Sequence, residues 1–123
     1  MAINYETHVE GDILHVTTSG FDESLEDVIA YGEAVMAETT KHGCTRILVD
    51  ESDLDYRLDT VDTYNLARYY AKTFHVAAKV ALVASKENLE DAKFWETTIR
   101  NRGGLCNVFT SKDKAKAWLG LTE

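Results

Sequence analysis

Six acids, Asp50, Glu51, Asp53, Asp55, Asp59 and Asp62, fall within residues 50–62, with Arg57 among them. Oxygen ligands at this density first suggest a hard cation. Calcium takes alternating loop oxygens around a sharp glycine turn and closes on a bidentate Glu. Asp53 and Asp55 alternate, but neither the glycine nor the Glu follows at the required offset. A solvated loop is the simpler reading, with Asp59 and Asp62 favouring the positive end of the helix that follows. Phosphate or nucleotide binding is opposed by these acids, which repel an anion, and by the lack of a Gly-rich loop.

Other chemistry-bearing residues are equally sparse. His8 and His15 face one another if residues 3–18 form a hairpin, which supplies half of a transition-metal site. Nothing obvious completes the site, so an exposed or interfacial pair, able to titrate near neutral pH, is expected. Ser52, Ser85 and Ser111 follow three successive strand-like runs, the edge where open α/β sheets bind ligands. No histidine accompanies them: His42 and His75 precede strands, and Ser85 and Ser111 are natural helix starts. Cys44 and Cys106 sit in apolar runs and read as buried thiols. No catalytic residue, cofactor or metal is assigned, and a non-enzymatic protein is expected.

Tyrosines supply the remaining signal. A helix expected from Asp59 or Thr60 through "VDTYNLARYYAKTF" carries Tyr64, Tyr69, Tyr70 and Phe74, with Tyr56 just ahead. Tyr64, Ala67, Ala71 and Phe74 form one stripe, and Leu66, Tyr69, Tyr70 and Thr73 lie partly off it. The surplus fits core residues with snorkelling hydroxyls. It equally fits a contact face, because tyrosine favours interfaces and wet-rimmed apolar pockets.

The elements that must position these residues follow from period and punctuation. "INYETHVE" and "ILHVTTS" alternate around Gly11-Asp12 as an antiparallel hairpin, placing Val9 opposite Leu14 and Thr7 opposite Val16. Leu25, Val28, Ile29, Gly32, Val35, Met36 and Thr39 then recur at helical spacing, with Ser24 as N-cap and Gly43 as stop. "CTRILVD", "AAKVALVA" and "LCNVF" read as strands buried on both faces. "ESDLDYRLD" reads as the loop after the first of them. A third helix is expected over residues 88–102, with Leu89, Ala92, Trp95 and Ile99 inward and Gly103-Gly104 ending it. A short last helix is capped by Ser111 and buries Ala115, Trp118 and Leu119. The result is an α/β fold, a mixed and mostly parallel sheet with an opening antiparallel hairpin, in the order β-β-α-β-α-β-α-β-α.

The 123 residues suit one domain, and a net charge of −8 opposes a nucleic-acid or anionic-membrane surface. No apolar run approaches the ~18–20 residues of a membrane span. The alternating, acid-bearing first ten residues read as a strand rather than a targeting peptide, so a cytoplasmic protein is expected.

This order, together with "RILVD", the acidic segment before the second helix, "KVALVAS" and the closing "VFTSKDKAKAWLG", resembles the STAS superfamily. It is most similar to the small stand-alone SpoIIAA-like (STAS/SEC14-like) proteins, over residues 3–120. In the family's anti-sigma-factor antagonists an Asp ends the third strand, and an Asp-Ser-Ser-Gly motif opens the next helix. Asp50 matches the strand-end acid and Asp59 opens the motif. Val61 takes the place of the phosphorylated serine, and Asp62 that of the glycine. Thr60 could accept a phosphate one position early, but a capping role is preferred. The resemblance implies a regulatory or protein-interaction module without the usual phospho-switch, and a homodimer is expected. Its expected partner surface comprises Asp50, Ser52, Tyr56, Asp59, Thr60, Asp62, Tyr64, Tyr69 and Tyr70. The SEC14-like label implies an alternative, a carrier of an apolar small molecule or lipid in a cavity beside Phe94 and Trp95.

Overall fold

The computed structural model describes residues 2–73, 78–101 and 104–121, apart from the side chains of Ala67, Tyr70, Ala71, Thr73, Trp95, Thr98 and Ile99. The opening hairpin joins β1 (Ile3–Glu10) to β2 (Ile13–Phe21). Val9 stands opposite Leu14, Thr7 opposite Val16 and His8 opposite His15, the register expected from alternation. Gly11 turns the chain at φ +64. Gly20 is required by space as well as by φ, since a Cβ there would lie 2.1 Å from the carbonyl oxygen of Ala2.

Helix α1 (Leu25–Lys41) starts at Ser24, whose hydroxyl accepts from the Asp27 amide, and buries Val28, Tyr31, Val35 and Thr39. Then follow β3 (Arg46–Asp55), α2 (Thr60–Thr73), β4 (Lys79–Ala84), a 3-10 turn (Lys86–Asn88), α3 (Leu89–Arg100), β5 (Leu105–Phe109) and α4 (Lys112–Trp118). The sheet runs β1-β2-β3-β4-β5; β1 is antiparallel to β2 and every later pair is parallel. No described helix is long and apolar enough to cross a membrane.

Alternation along the strands separates two cores. Leu14, Val16, Ile47, Val49, Leu82 and Val108 pack beneath α1, α2 and α3, with Leu66 and Ala92 from the helices. Leu48, Ala81 and Val83 face the other way, against Ala115 and Leu119 of α4. Arg46 and Lys79 donate to the carbonyls of Leu119 and Trp118, placing cations at the C-terminal end of α4. Both cysteines are buried and free, and burial pushes the Cys106 thiol up to about 12.

β3 corrects the sequence reading. The acidic "ESDLD" continues the strand instead of forming a loop, so Ser52 lies within β3 rather than after it. Between Thr17 opposite Asp50 and Ser19 opposite Asp53 the register slips, setting Glu51 and Ser52 against the single residue Thr18. This bulge turns both Glu51 and Leu54 inward, three residues apart, which breaks the two-residue period that marks a strand.

Candidate functional site

The lead-in to α2 is held by two buried carboxylates. Glu51 is inward-facing, like Ile47 and Val49 before it, and lies beneath α1. Tyr31 donates to its Oε2 at 2.9 Å and Tyr56 to its Oε1 at 2.5 Å. The Tyr31 proton is thus committed to Glu51, so the buried Thr18 hydroxyl, 2.7 Å away, donates to the Tyr31 oxygen. Burial raises the carboxyl of Glu51, against the lowering effect of the two phenols; Asp22 and Asp50 raise it further. Desolvation and the Glu51 charge lift the Tyr56 phenol well above its ordinary range.

Asp22 is the second anchor. Its Oδ1 accepts the amides of Arg57 and, at 3.0 Å, Leu58, while its own amide donates to the Asp55 carbonyl at 3.0 Å. Desolvation raises its carboxyl, partly offset by those two backbone donors. Asn88 donates to the Leu54 carbonyl at 3.0 Å, and the Arg57 guanidinium lies 4.0 Å over the Phe21 ring. Residues 56–58 are therefore tied to the end of β2 and to β3, and the end of β3 is tied in turn to the turn before α3. Their path fixes where α2 begins.

Asp59 caps α2: its Oδ1 accepts from the Asp62 amide at 2.8 Å, and its carbonyl takes the Thr63 amide and hydroxyl. The capping role expected of Thr60 therefore belongs to Asp59, and Thr60 is the exposed first helical residue. Beside it Val61 is 68% exposed, and one turn on Tyr64 is 42% exposed. The Tyr64 ring lies 5.8 Å from that of Phe94 on α3, itself 39% exposed, and the Arg68 guanidinium stands 5.6 Å from the same ring. Val61, Tyr64 and Phe94 thus form an apolar surface spanning the start of α2 and the adjoining part of α3.

The expected surface residues divide. Thr60 and Tyr64 face outward together, Asp62 is half-buried beside them, and Asp59 is exposed but committed to the cap. Tyr56 points inward to Glu51, contrary to expectation, because a buried carboxylate needs its proton. Asp50 and Ser52 lie on the opposite side of the sheet: Asp50 Oδ1 accepts the Ser52 amide at 3.1 Å and hydroxyl at 2.6 Å, and Lys112 of α4 stands 3.6 Å from Oδ2. Tyr69 is half-buried, and the Tyr70 side chain is outside the described residues, as are Phe74 and the inward positions proposed for Ala67, Ala71, Trp95 and Ile99. Among the described side chains of α2, Leu66 is the buried one, whereas Tyr64 is exposed. Phe94 is 39% exposed and its ring packs on Tyr64, and the Trp95 side chain lies outside the described residues.

Sequence reasoning missed Glu51 as an anchor, along with Asp22, Tyr31 and Thr18. One signal was available for Glu51: it continues the inward alternation Ile47, Val49. His8 and His15 do meet, with rings parallel at 4.5 Å, and desolvation lowers the His15 pKa. Among the described residues no group of three metal-ligating side chains forms.

No protein-family model and no curated protein matches the chain. Solved structures similar to it include two crystal structures. An anti-sigma factor antagonist from Mycobacterium paratuberculosis is 15% identical over 96% of this chain and 94% of that one, with a TM-score of 0.65. An uncharacterized protein of the DUF3478 family with a SpoIIAA-like fold, from Shewanella loihica PV-4, is 22% identical over the same shares, with a TM-score of 0.50. The chain therefore has a SpoIIAA-like α/β fold, as the resemblance of its motifs implied.

Proposed function

We propose that this chain is a non-enzymatic regulatory module that binds a protein partner through the N-terminal half of α2 and the adjoining face of α3. The reading rests on one observation, the exposed Val61–Tyr64–Phe94 surface on a helix start anchored by Glu51 and Asp22. A valine so exposed on the first turn contributes nothing to the core, whereas an aromatic-centred patch on a rigid base suits an interface. One structural neighbour is an anti-sigma factor antagonist, a name that places its action on another protein. Asp59 and Asp62 lie at the same helix start, so the fitting partner presents apolar side chains flanked by basic ones. Valine carries no hydroxyl, so binding at Val61 is not gated by phosphorylation there.

Quantitative affinity capture from cells of the source organism tests this reading. Val61→Asp and Tyr64→Ala should lose proteins that wild type retains, and a purified retained protein should bind wild type directly and the variants more weakly. Identical partner sets for wild type and both variants would overturn it.

A further inference from the structure

The two edges of the sheet are finished differently. On β5, the outer edge is occupied by α3: the Glu96 carboxylate accepts the Val108 amide, and Arg100 Nε donates to the Cys106 carbonyl at 2.7 Å. Side chains there stand in for a further strand and block pairing. On β1, no described group bonds the outer edge, and the Ala2 carbonyl just before the strand accepts the Phe21 amide of β2 at 3.1 Å. A two-residue turn makes Glu10 and Ile13 a hydrogen-bonded pair, so the even residues of β1 bond β2. The backbone amides and carbonyls of Ile3, Tyr5, Thr7 and Val9 therefore point outward. Tyr5 and Val9, each 38% exposed, are large apolar side chains on this same strand.

We infer that β1 is a self-association edge, on which a second copy of this chain pairs antiparallel about Thr7. Side chains directly opposite in an antiparallel pair share a face, so only registers that pair odd with odd are allowed. Centring on Glu6 sets two glutamates against each other. Centring on His8 sets Glu6 against Glu10. Centring on Thr7 sets Tyr5 against Val9 of the second copy and Glu6 against His8 of the second copy, each twice by symmetry. That register alone avoids like charges and covers both exposed apolar residues. Tyr5 is already held edge-on to Tyr31 at 5.3 Å, and His8 is stacked on His15. The two five-stranded sheets join into one of ten, and the α2 surface plays no part.

Sedimentation of the full chain across the micromolar range tests the inference. Wild type should reach twice the 13.8 kDa of one chain. Thr7→Pro should sediment as one chain with unchanged circular dichroism, because the lost N–H is not bonded to β2 and edge strands accept proline. Glu6→Lys should weaken the dimer about tenfold, and adding His8→Glu should restore it. Val61→Asp should dimerise like wild type, which separates this edge from the partner surface. A monomeric wild type, a folded but dimeric Thr7→Pro, or a Glu6→Lys variant as tight as wild type overturns the inference.

Discussion

Glu51 and Asp59 belong to one acidic run, yet the fold uses them in opposite ways. Glu51 is turned inward by the bulge and holds two phenols in a dry interior. Asp59 stays in water and satisfies one amide at a helix start. The first acid determines whether residues 56–58 keep their path; the second adjusts how firmly α2 begins. Charge density in the sequence does not separate these roles, whereas strand geometry does. Replacing Glu51 by Ala should therefore have the largest effect, because the Tyr56 hydroxyl loses its acceptor and a cavity opens beneath α1. The expected loss is about 3 kcal/mol of unfolding free energy, read by urea titration. A loss comparable to that of a surface cap would erase the distinction.

Asp22 extends the comparison to the other anchor. Asp22→Ala leaves the Arg57 and Leu58 amides without their acceptor, and about 2 kcal/mol should be lost. Hydrogen exchange should show those two amides losing protection more than the amides of β4. Uniform loss across the sheet would mean that Asp22 supports the fold generally and does not anchor this segment.

The same contrast should appear on titration. Burial raises the carboxyls of Glu51 and Asp22 above their ordinary 4.5 and 3.8. An acid with a raised folded pKa binds more protons folded than unfolded. Its favourable contribution is complete below the unfolded value and declines as pH rises through the folded one. Asp12 has the opposite sign: hydrogen bonds from Arg46 and Thr45 lower it from 3.8 to about 2. Its contribution is present above 3.8 and is lost as pH falls toward 2. Glu51→Gln cannot ionise, so it should flatten the decline above pH 4.5 while keeping the acid-side loss due to Asp12. Unfolding free energies measured from acid to neutral pH decide this, and a slope unchanged from wild type would remove Glu51 from the account.

Much of the frame was legible because two independent signals agreed. Gly11-Asp12 and the flanking alternation both fixed the hairpin register, and Ser24 with the spacing of Val28 and Val35 placed α1. The end of β3 was not legible, because one extra residue opposite Thr18 hid the inward pair Glu51 and Leu54 behind an acidic run. α2 was left open between core and contact face for a different reason. Tyr64 could be taken as core on hydrophobicity alone, but its ring packs sideways on Phe94, and periodicity within one helix does not encode a neighbouring helix. Glu51 continued a visible alternation, but its partners Tyr31 and Tyr56 come from α1 and from the segment before α2. A buried acid is intelligible only once those donors are placed.

Asp59→Ala should have the smallest effect. The variant loses a side-chain acceptor for the Asp62 amide, but that amide lies at an exposed helix start where water can take over the bond. Replacing such a cap costs about 1 kcal/mol, and the loss should be confined to the first turn of α2. Asp59→Ser supplies another capping oxygen and should recover most of it. Tyr56 should keep its bond to Glu51 in both variants, since the bulge and not the cap aims that carboxylate. Hydrogen exchange across residues 55–65 would test this. Equal deprotection of residues 56–58 and of the first helical turn in Asp59→Ala would mean that cap and anchors act as one unit.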